Sequence, residues 1–384
     1  MIVVYHGILP FDRSRHRGMM AAYGDRVPLV YVDPDTERNV APSKQTDAVV
    51  SQLSRDPRPG IYPVTLGSTL PGGRFRPIAK ANRWLALRSL LSRLRRETGR
   101  PVVLINQQPG LLATVKGIAA TLTVYEIRDD YVSLALTQEA ADRTQIAHDK
   151  LLASSDMVWA ISRALVDAAT SKRPDVQLIG VGVEHADFVA ADESRAPEGI
   201  RNLETPRIGL VGNLNDRVDW RLLENVARAR PNWQIVVVGP VYHSSDATRL
   251  GLENLTALAN AHHVDAVPQD MLGACMAALD VCLIPYRITQ ATSRINSLKV
   301  YQYLSVGKPV IATRIPSIME LADVVACVEA DAFVAAIDAA LVEDKAAGTE
   351  RRRLRAAQFD WSAIVAEQLG YLEQRLDPAN YRRR

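Results

Sequence analysis

Lys299 and Gln302 carry the most chemical content in the chain, within the segment PYRITQATSRINSLKVYQYLSVGKPVIAT (285–313). Asn296 or Ser297 is a candidate N-cap, because a short polar side chain there accepts a bond from a first-turn amide. A helix is then expected from about Leu298 to Val306, ended by Gly307 and by Pro309 just beyond. Lys299 falls in its first turn, where a cation opposes the helix macrodipole at a cost of about 0.3–1 kcal/mol. An anion reverses that sign, so first-turn amides beside a lysine make a diphosphate site. Gln302, three residues on, shares a helix face with Lys299, and its amide suits hydroxyls next to a phosphate, as on a ribose. The plainer alternative is a surface lysine and a solvent-facing glutamine. Gly212 permits close backbone approach, although a tight strand-to-helix turn would use the same residue. Tyr286 and Arg287 end the apolar run before the polar loop, and Arg294 lies in that loop. Arginine forks there fit a diphosphate or a carboxylate; for Arg294 a solvated surface position is the alternative.

These residues need a scaffold, and the apolar runs indicate one. MIVVY (1–5), PLVYVD (28–33), PVVLIN (101–106), LTVYEI (122–127) and SDMVWAIS (155–162) form a first series. PRIGLVG (206–212), WQIVVVGP (233–240), NLTALA (254–259), LDVCLIPY (279–286) and KPVIAT (308–313) form a second. Each run reads as a buried parallel strand, and helical patterns lie between them. The fold class is therefore α/β, with two doubly wound sheets. The boundaries expected are a first domain over 1–184, a polar linker over 185–205, a second domain over 206–358, and a C-terminal helix over 359–384 packing back on the first domain.

A length of 384 residues suits two cores, and a net charge of +3 is too small for bulk electrostatic binding of nucleic acid. Cys275, Cys282 and Cys327 show no metal-ligand or disulfide spacing, so a reducing, cytoplasmic setting is expected. The start of the sequence has no leader pattern, and no 18-residue apolar stretch occurs. No GxGxxG opens either series, which disfavours a dehydrogenase. Asp33-Pro34-Asp35 is formally an Asp-x-Asp metal motif, but it follows a strand of the first series, so neither a metal nor another cofactor is expected.

Residues Ser297 to Thr313, SLKVYQYLSVGKPVIAT, resemble the donor-binding domain of GT-B fold bacterial polysaccharide glycosyltransferases, whose pattern is PLKxxEYLAxGKPVxAT. The chain departs from it with Ser297 in place of Pro and Gln302 in place of the ribose-binding Glu. A Lys-x-x-Gln pair here is similar to that of the xanthan glucuronosyltransferase, where both residues contact the UDP donor. The resemblance implies two Rossmann-like domains facing each other across a cleft. It also implies a UDP-sugar donor bound by Gly212, Asn213, Arg217, Tyr286, Arg287, Arg294, Ser297, Leu298, Lys299 and Gln302. The activity implied is transfer of a hexosyl group, glucuronic acid among the candidates, to a glycan or lipid-linked acceptor in exopolysaccharide or cell-envelope polysaccharide synthesis. VYEIRDDY (124–131) resembles the family's strand that ends in an Asp-Asp loop, which makes Asp129 and Asp130 the candidate general bases, with helix capping as the alternative. His6, His16 and Arg17 lie where the family contacts the acceptor. A UDP-sugar 2-epimerase of the same fold and a silent sugar-nucleotide-binding protein are the rival readings.

Residues 74–100 contain nine Arg or Lys and one Glu, with Trp84, Leu87, Leu91 and Leu94 at helical spacing. A helix of this kind can lie on an anionic bilayer with its leucine face inserted, which would hold the protein at the inner face of the cytoplasmic membrane beside a lipid-linked acceptor. The alternative is a core-facing helix with a solvated basic rim.

Overall fold

The computed structural model describes residues 1–7, 17–33, 44–66, 76–110, 112, 114–242, 245–377 and 379. They form two units, Met1–Gly180 with Trp361–Arg384, and Val181–Asp360.

In the first unit, β1 (Ile2–His6), β2 (Pro28–Val32), β3 (Gly60–Val64), β4 (Val102–Asn106), β5 (Leu122–Ile127), β6 (Met157–Ala160) and β7 (Gln177–Leu178) make one parallel sheet. Its order is β3-β2-β1-β4-β5-β6-β7. Helices α1 (Arg17–Gly24), α2 (Lys44–Arg55), α3 (Arg76–Thr98), α4 (Gln138–Ser154) and α5 (Arg163–Thr170) belong to this unit. Strands β1, β2, β4, β5 and β6 are buried at every position, which explains unbroken Val/Ile/Leu runs instead of an alternating pattern. Thr137 and Ser162 start α4 and α5 by accepting from Ala140 N and Leu165 N.

The expected insertion of the leucine face of 74–100 into a bilayer is corrected by α3. Leu87, Leu90, Leu91 and Leu94 are 1% exposed or less, so that face is already buried in the core of the first unit. The basic residues ring it from outside: Arg88, Arg95, Arg96 and Arg100 are exposed, and Arg93 pairs with Asp47 of α2 at 2.5 Å. Inserting those leucines into lipid would require unpacking α3 from its core and exposing to water the apolar side chains it covers. No helix among the described residues is long and apolar enough to cross a membrane.

The second unit opens with α6 (His185–Val189) and α7 (Glu198–Arg201), then β8 (Arg207–Val211), α8 (Trp220–Ala229), β9 (Gln234–Val238), α9 (Asp246–Thr256) and β10 (Ala261–Val264). It continues with α10 (Leu272–Ala277), β11 (Val281–Ile284), α11 (Gln290–Arg294), α12 (Leu298–Val306), β12 (Val310–Thr313) and α13 (Pro316–Met319). β13 (Ala326–Val328), α14 (Phe333–Leu341) and α15 (Lys345–Ala357) complete it. The sheet is again parallel, in the order β10-β9-β8-β11-β12-β13. The chain then returns to the first unit as α16 (Trp361–Leu376), where the Tyr23 hydroxyl of α1 donates to Gln368 Oε1 at 2.6 Å.

Two further expectations differ from the structure. Residues 185–205 are not a bare linker: they carry α6 and α7 within the second unit, anchored by Phe188, Ala196 and Ile200, which are 8%, 3% and 0% exposed. Those three anchors are too widely spaced to give a helical period, so polarity dominated the pattern. The run 254–259 is not a strand but begins inside the last turn of α9, and the strand is the following AHHV of β10. β10 pairs only with β9 and is half-buried beyond Ala261, and an edge strand of that kind tolerates two histidines.

Both sheets reverse their winding once, between β1 and β4 and between β8 and β11, and ligands of open α/β sheets bind beyond the strand carboxyl ends at such points. His6 and Asn106 mark one of these ends; Gly212 and Tyr286 mark the other. Truncation of the buried leucine face supplies the first test. Leu91→Ala is expected to destabilise the first unit by about 2–5 kcal/mol, read as a lower urea midpoint. A loss of binding to anionic vesicles with an unchanged midpoint would restore the inserted helix.

Candidate functional site

At the end of β8 the backbone turns through Gly212 at φ +123°, a conformation L side chains rarely adopt. A Cβ at residue 212 would fall 1.8 Å from Lys299 Nζ, so the lysine head occupies the space the glycine leaves open. Its ammonium donates to Val211 O at 2.8 Å. One helical turn further along α12, the buried Tyr303 hydroxyl accepts from Val211 N at 2.9 Å and donates to Val211 O at 3.3 Å. The last peptide of β8 is thereby gripped by two side chains of α12. Gly239, at the end of β9, is required by the same crowding: its Cβ would lie 2.3 Å from Gly212 O.

The loop after Gly212 is stitched to the loop after β11. Val218 bridges Tyr286 in antiparallel fashion, Arg287 N donates to Arg217 O at 2.8 Å, and Asp219 N donates to Pro285 O at 2.7 Å. Asn215 Oδ1 accepts from Arg217 N at 3.0 Å, and Asp219 caps α8 by accepting from Leu222 N at 3.0 Å. Tyr286 is buried, and desolvation pushes its phenol up to about 12, opposed by the charge of Arg217 and by Ser297. The structure thus brings Gly212, Arg217, Tyr286, Arg287, Ser297 and Lys299 to one end of one sheet. Asn213 is half-buried in the glycine loop, Leu298 and Gln302 are half-buried on α12, and Arg294 is the last residue of the short helix α11. The polar loop expected between Arg287 and α12 therefore contains a helix, opened by a reciprocal capping box between Thr289 and Thr292.

Capping of α12 is a correction. Ser297 stands at the N-cap position but makes no side-chain cap bond, and Asn296 Oδ1 instead accepts from the Tyr301 hydroxyl at 2.9 Å. Ser297 thus leaves the first turn of α12 without a side-chain cap bond, and its carbonyl instead accepts from Val300 N at 3.2 Å.

In the first unit, Asp130 is 7% exposed and holds a turn: its carboxylate accepts from Ser133 N at 3.1 Å and from Ser133 Oγ at 2.5 Å. Asp129 is half-buried, and its Oδ1 accepts from Asp130 N at 3.1 Å. Arg17 is exposed at the start of α1, and His16 lies outside the described residues, as do Pro34 and Asp35 of the Asp-x-Asp motif.

Sequence reasoning missed the buried cluster beside them. Glu126, 1% exposed at the end of β5, accepts from Arg128 Nη1 at 2.8 Å, from the Tyr5 hydroxyl at 3.0 Å and from Gln107 Nε2 at 3.1 Å. The available signal was a lone carboxylate inside an otherwise apolar strand, since such a group is buried only with a partner. Next to this cluster, His6 Nδ1 and Nε2, Asn106 Oδ1 and Gln107 Oε1 are buried without a well-formed hydrogen bond among the described residues, Asn106 being close enough to His6 for a weak one. Each such atom costs about 1–3 kcal/mol, and all four lie at the carboxyl ends of β1 and β4. Burial, reinforced by the nearby Arg83 charge and opposed by Asn106, pushes the His6 imidazole down to about 4, so it is neutral at pH 7.

Residues 205–343 match the family model described as Glycosyl transferases group 1, and the second unit therefore carries a domain of that family. Over 229 residues, 58% of this chain and 56% of the relative, the chain is 24% identical to the Bacillus subtilis (strain 168) protein named as the teichuronic acid biosynthesis glycosyltransferase TuaH. The match spans little more than half the length of that curated relative. Anabaena HepE, solved in complex with UDP and glucose, is similar with a TM-score of 0.69 and 15% identity over 97% of this chain and 100% of that one. The sucrose-phosphate synthase of Thermosynechococcus elongatus is similar with a TM-score of 0.71 and 17% identity over 99% and 100%. The fold is GT-B, with two Rossmann-like parallel sheets.

The neutral His6 gives a pH test. Unfolded histidine takes up a proton near pH 6.5, whereas His6 in the fold resists it down to about 4. Stability is therefore full above about pH 6.5 and falls as the pH drops towards about 4, because only the unfolded chain binds that proton. His6→Gln is expected to flatten this slope in urea unfolding measured across that window; an unchanged slope would remove His6 as its source.

Proposed function

We propose that the chain is a glycosyltransferase that takes a hexosyl group from a UDP-sugar and transfers it to a glycan or lipid-linked acceptor in cell-envelope or exopolysaccharide assembly. The observation that carries this reading is the Lys299 ammonium seated against the Gly212 turn, at the uncapped start of α12. Positive charge and first-turn amides converge there on the space beyond β8, which suits a diphosphate. The family domain over 205–343, the UDP bound by HepE and the naming of TuaH for teichuronic acid biosynthesis support the same donor and pathway class.

In this reading, breaking the bond between the anomeric carbon and the diphosphate leaves negative charge on UDP, and Lys299, Arg217 and the first-turn amides of α12 stabilise it. Gln302, on the helix face of Lys299, takes the ribose hydroxyls. Fixed cations here replace a metal ion, and magnesium is not required. Arg287 and Arg294 are the candidate partners of a sugar carboxylate, which makes glucuronic acid the first sugar to try. A carboxylate of the first unit takes the acceptor proton. Asp129 and Asp130 are the two candidates; Asp130 accepts from Ser133 through both oxygens and Asp129 accepts from Asp130 N. The neutral polar atoms of His6, Asn106 and Gln107 are proposed to meet acceptor hydroxyls. Free, buried Cys275 and Cys282 suit a cytoplasmic setting.

Calorimetry with UDP, GDP and TDP, with and without magnesium, tests the donor site. UDP is expected to bind selectively without magnesium, and Lys299→Ala to weaken it roughly 10- to 100-fold, the worth of a charged hydrogen bond. Gly212→Ala, whose methyl displaces the lysine head, is expected to do the same. Absence of binding, or binding indifferent to both substitutions, would remove the reading. With UDP-glucose and UDP-glucuronic acid as donors, Asp129→Asn is expected to lower acceptor-dependent turnover by about a hundredfold or more while UDP affinity stays unchanged. UDP-sugar conversion without any acceptor would instead indicate an epimerase.

A further inference from the structure

The opposite end of the second unit's sheet carries a cavity of about 370 Å³. Asp280, Lys308 and Pro309, which immediately precede β11 and β12, line it, so it lies at the strand amino ends, away from Gly212 and Lys299. Its deeper wall is the carboxyl end of α12 together with α15. There Thr349 Oγ1 and Arg352 Nη1 each donate to Gly307 O at 3.2 Å, and Arg353 Nη2 donates to Val306 O at 3.1 Å and to Val189 O at 3.4 Å.

The lining holds four cations, Lys308, Lys345, Arg352 and Arg353, and four carboxylates, Asp192, Glu193, Asp280 and Glu343, but they are paired unevenly. Glu343 is shared by Arg352 and Arg351. Asp280 has Lys345 at 3.7 Å. Arg353 and Lys308 have no carboxylate partner among the described residues. The Nε atoms of Arg352 and Arg353 are buried without a hydrogen-bond partner, and the Arg352 side chain is only 4% exposed. Asp192 and Glu193 also line the cavity but are exposed on its rim. A buried guanidinium N–H with nothing to donate to costs more than a neutral donor would. An oxyanion in the cavity pairs with the Lys308 ammonium and the Arg353 guanidinium, which have no carboxylate partner among the described residues. The rim carboxylates can accept only from donors, so the same ligand presents hydroxyls towards them. The volume falls at the small end of the range for ligand pockets, about 300–1,000 Å³.

We propose that this cavity binds a small hydroxylated oxyanion, of the size of a monosaccharide phosphate, between Lys308, Arg352 and Arg353. The site is separate from the proposed donor site, and the two stand or fall independently. Calorimetry at constant ionic strength on the Lys299→Ala chain, in which the donor lysine cannot contribute, uses glucose 6-phosphate, inorganic phosphate, gluconate and glucose as probes. Saturable 1:1 binding of glucose 6-phosphate or gluconate, with glucose silent, is expected, and the tighter of the two assigns the head group as phosphate or carboxylate. Adding Lys308→Met or Arg353→Met is expected to weaken that binding about tenfold or more, the loss of one charged hydrogen bond. The Lys308 side chain makes no hydrogen bond among the described residues, its backbone N–H alone donating to Tyr303 O at 3.1 Å, so Lys308→Met decides the matter should Arg353→Met fail to fold. Absence of binding by all three anions, equal binding by glucose, or binding indifferent to Lys308→Met overturns the proposal.

Discussion

The second unit's chemistry depends on one steric fact: the Lys299 ammonium sits where a side chain at residue 212 would be. The two residues are far apart in sequence, and the strand order brings them together. β11 lies directly beside β8, and α12 follows β11 after the loop that carries α11, so its first turn is delivered to the end of β8. Tyr303 then sets the distance, because its hydroxyl bonds both the N–H and the carbonyl of Val211. With the helix held at that separation, the lysine reaches Val211 O only if residue 212 has no Cβ. Glycine at 212 is required twice, once by its positive φ and once by the ammonium.

The two strand-end clusters differ in electrostatic character. In the second unit, a cation stands at a helix start with no side-chain cap, which costs stability and is relieved by an anion. This is a preorganised positive potential. In the first unit Arg128 meets the buried Glu126, and burial keeps His6 neutral. What remains open there is hydrogen-bonding capacity without charge, in His6, Asn106 and Gln107. A charged end suits a phosphorylated group, whereas a neutral polar end suits hydroxyls.

The parts of the sequence that were legible are those where one physical requirement dominates. Strands buried on both faces read as unbroken apolar runs, and α12 reads clearly because Gly307 at φ +94° ends it. The glycine turn at 212 was visible as a turn, but its fit to Lys299 was not, since that depends on the Tyr303 anchor. Readings failed where two requirements compete for the same residue type. Ser297 and Asn296 look like caps, yet Asn296 is taken by Tyr301. The leucine face of α3 has the spacing of a lipid-facing helix because core and bilayer select the same side chains, and only burial distinguishes them. Glu126 was hidden by its apolar strand, although a carboxylate in such a run already implies a buried partner.

α12 joins these arguments, because its two ends are treated in opposite ways. At its carboxyl end, Thr349, Arg352 and Arg353 gather the last carbonyl oxygens, so cations there lie with the macrodipole. At its amino end, Lys299 lies against the dipole, with no acidic residue in the first turn and no side-chain cap bond from Ser297. A helix of nine residues cannot hold an unfavourable first turn by propensity alone. The favourable contacts at Val306 and Gly307, with Tyr303 buried between the ends, fix the helix so that the charge at its start stays in place without an anion present.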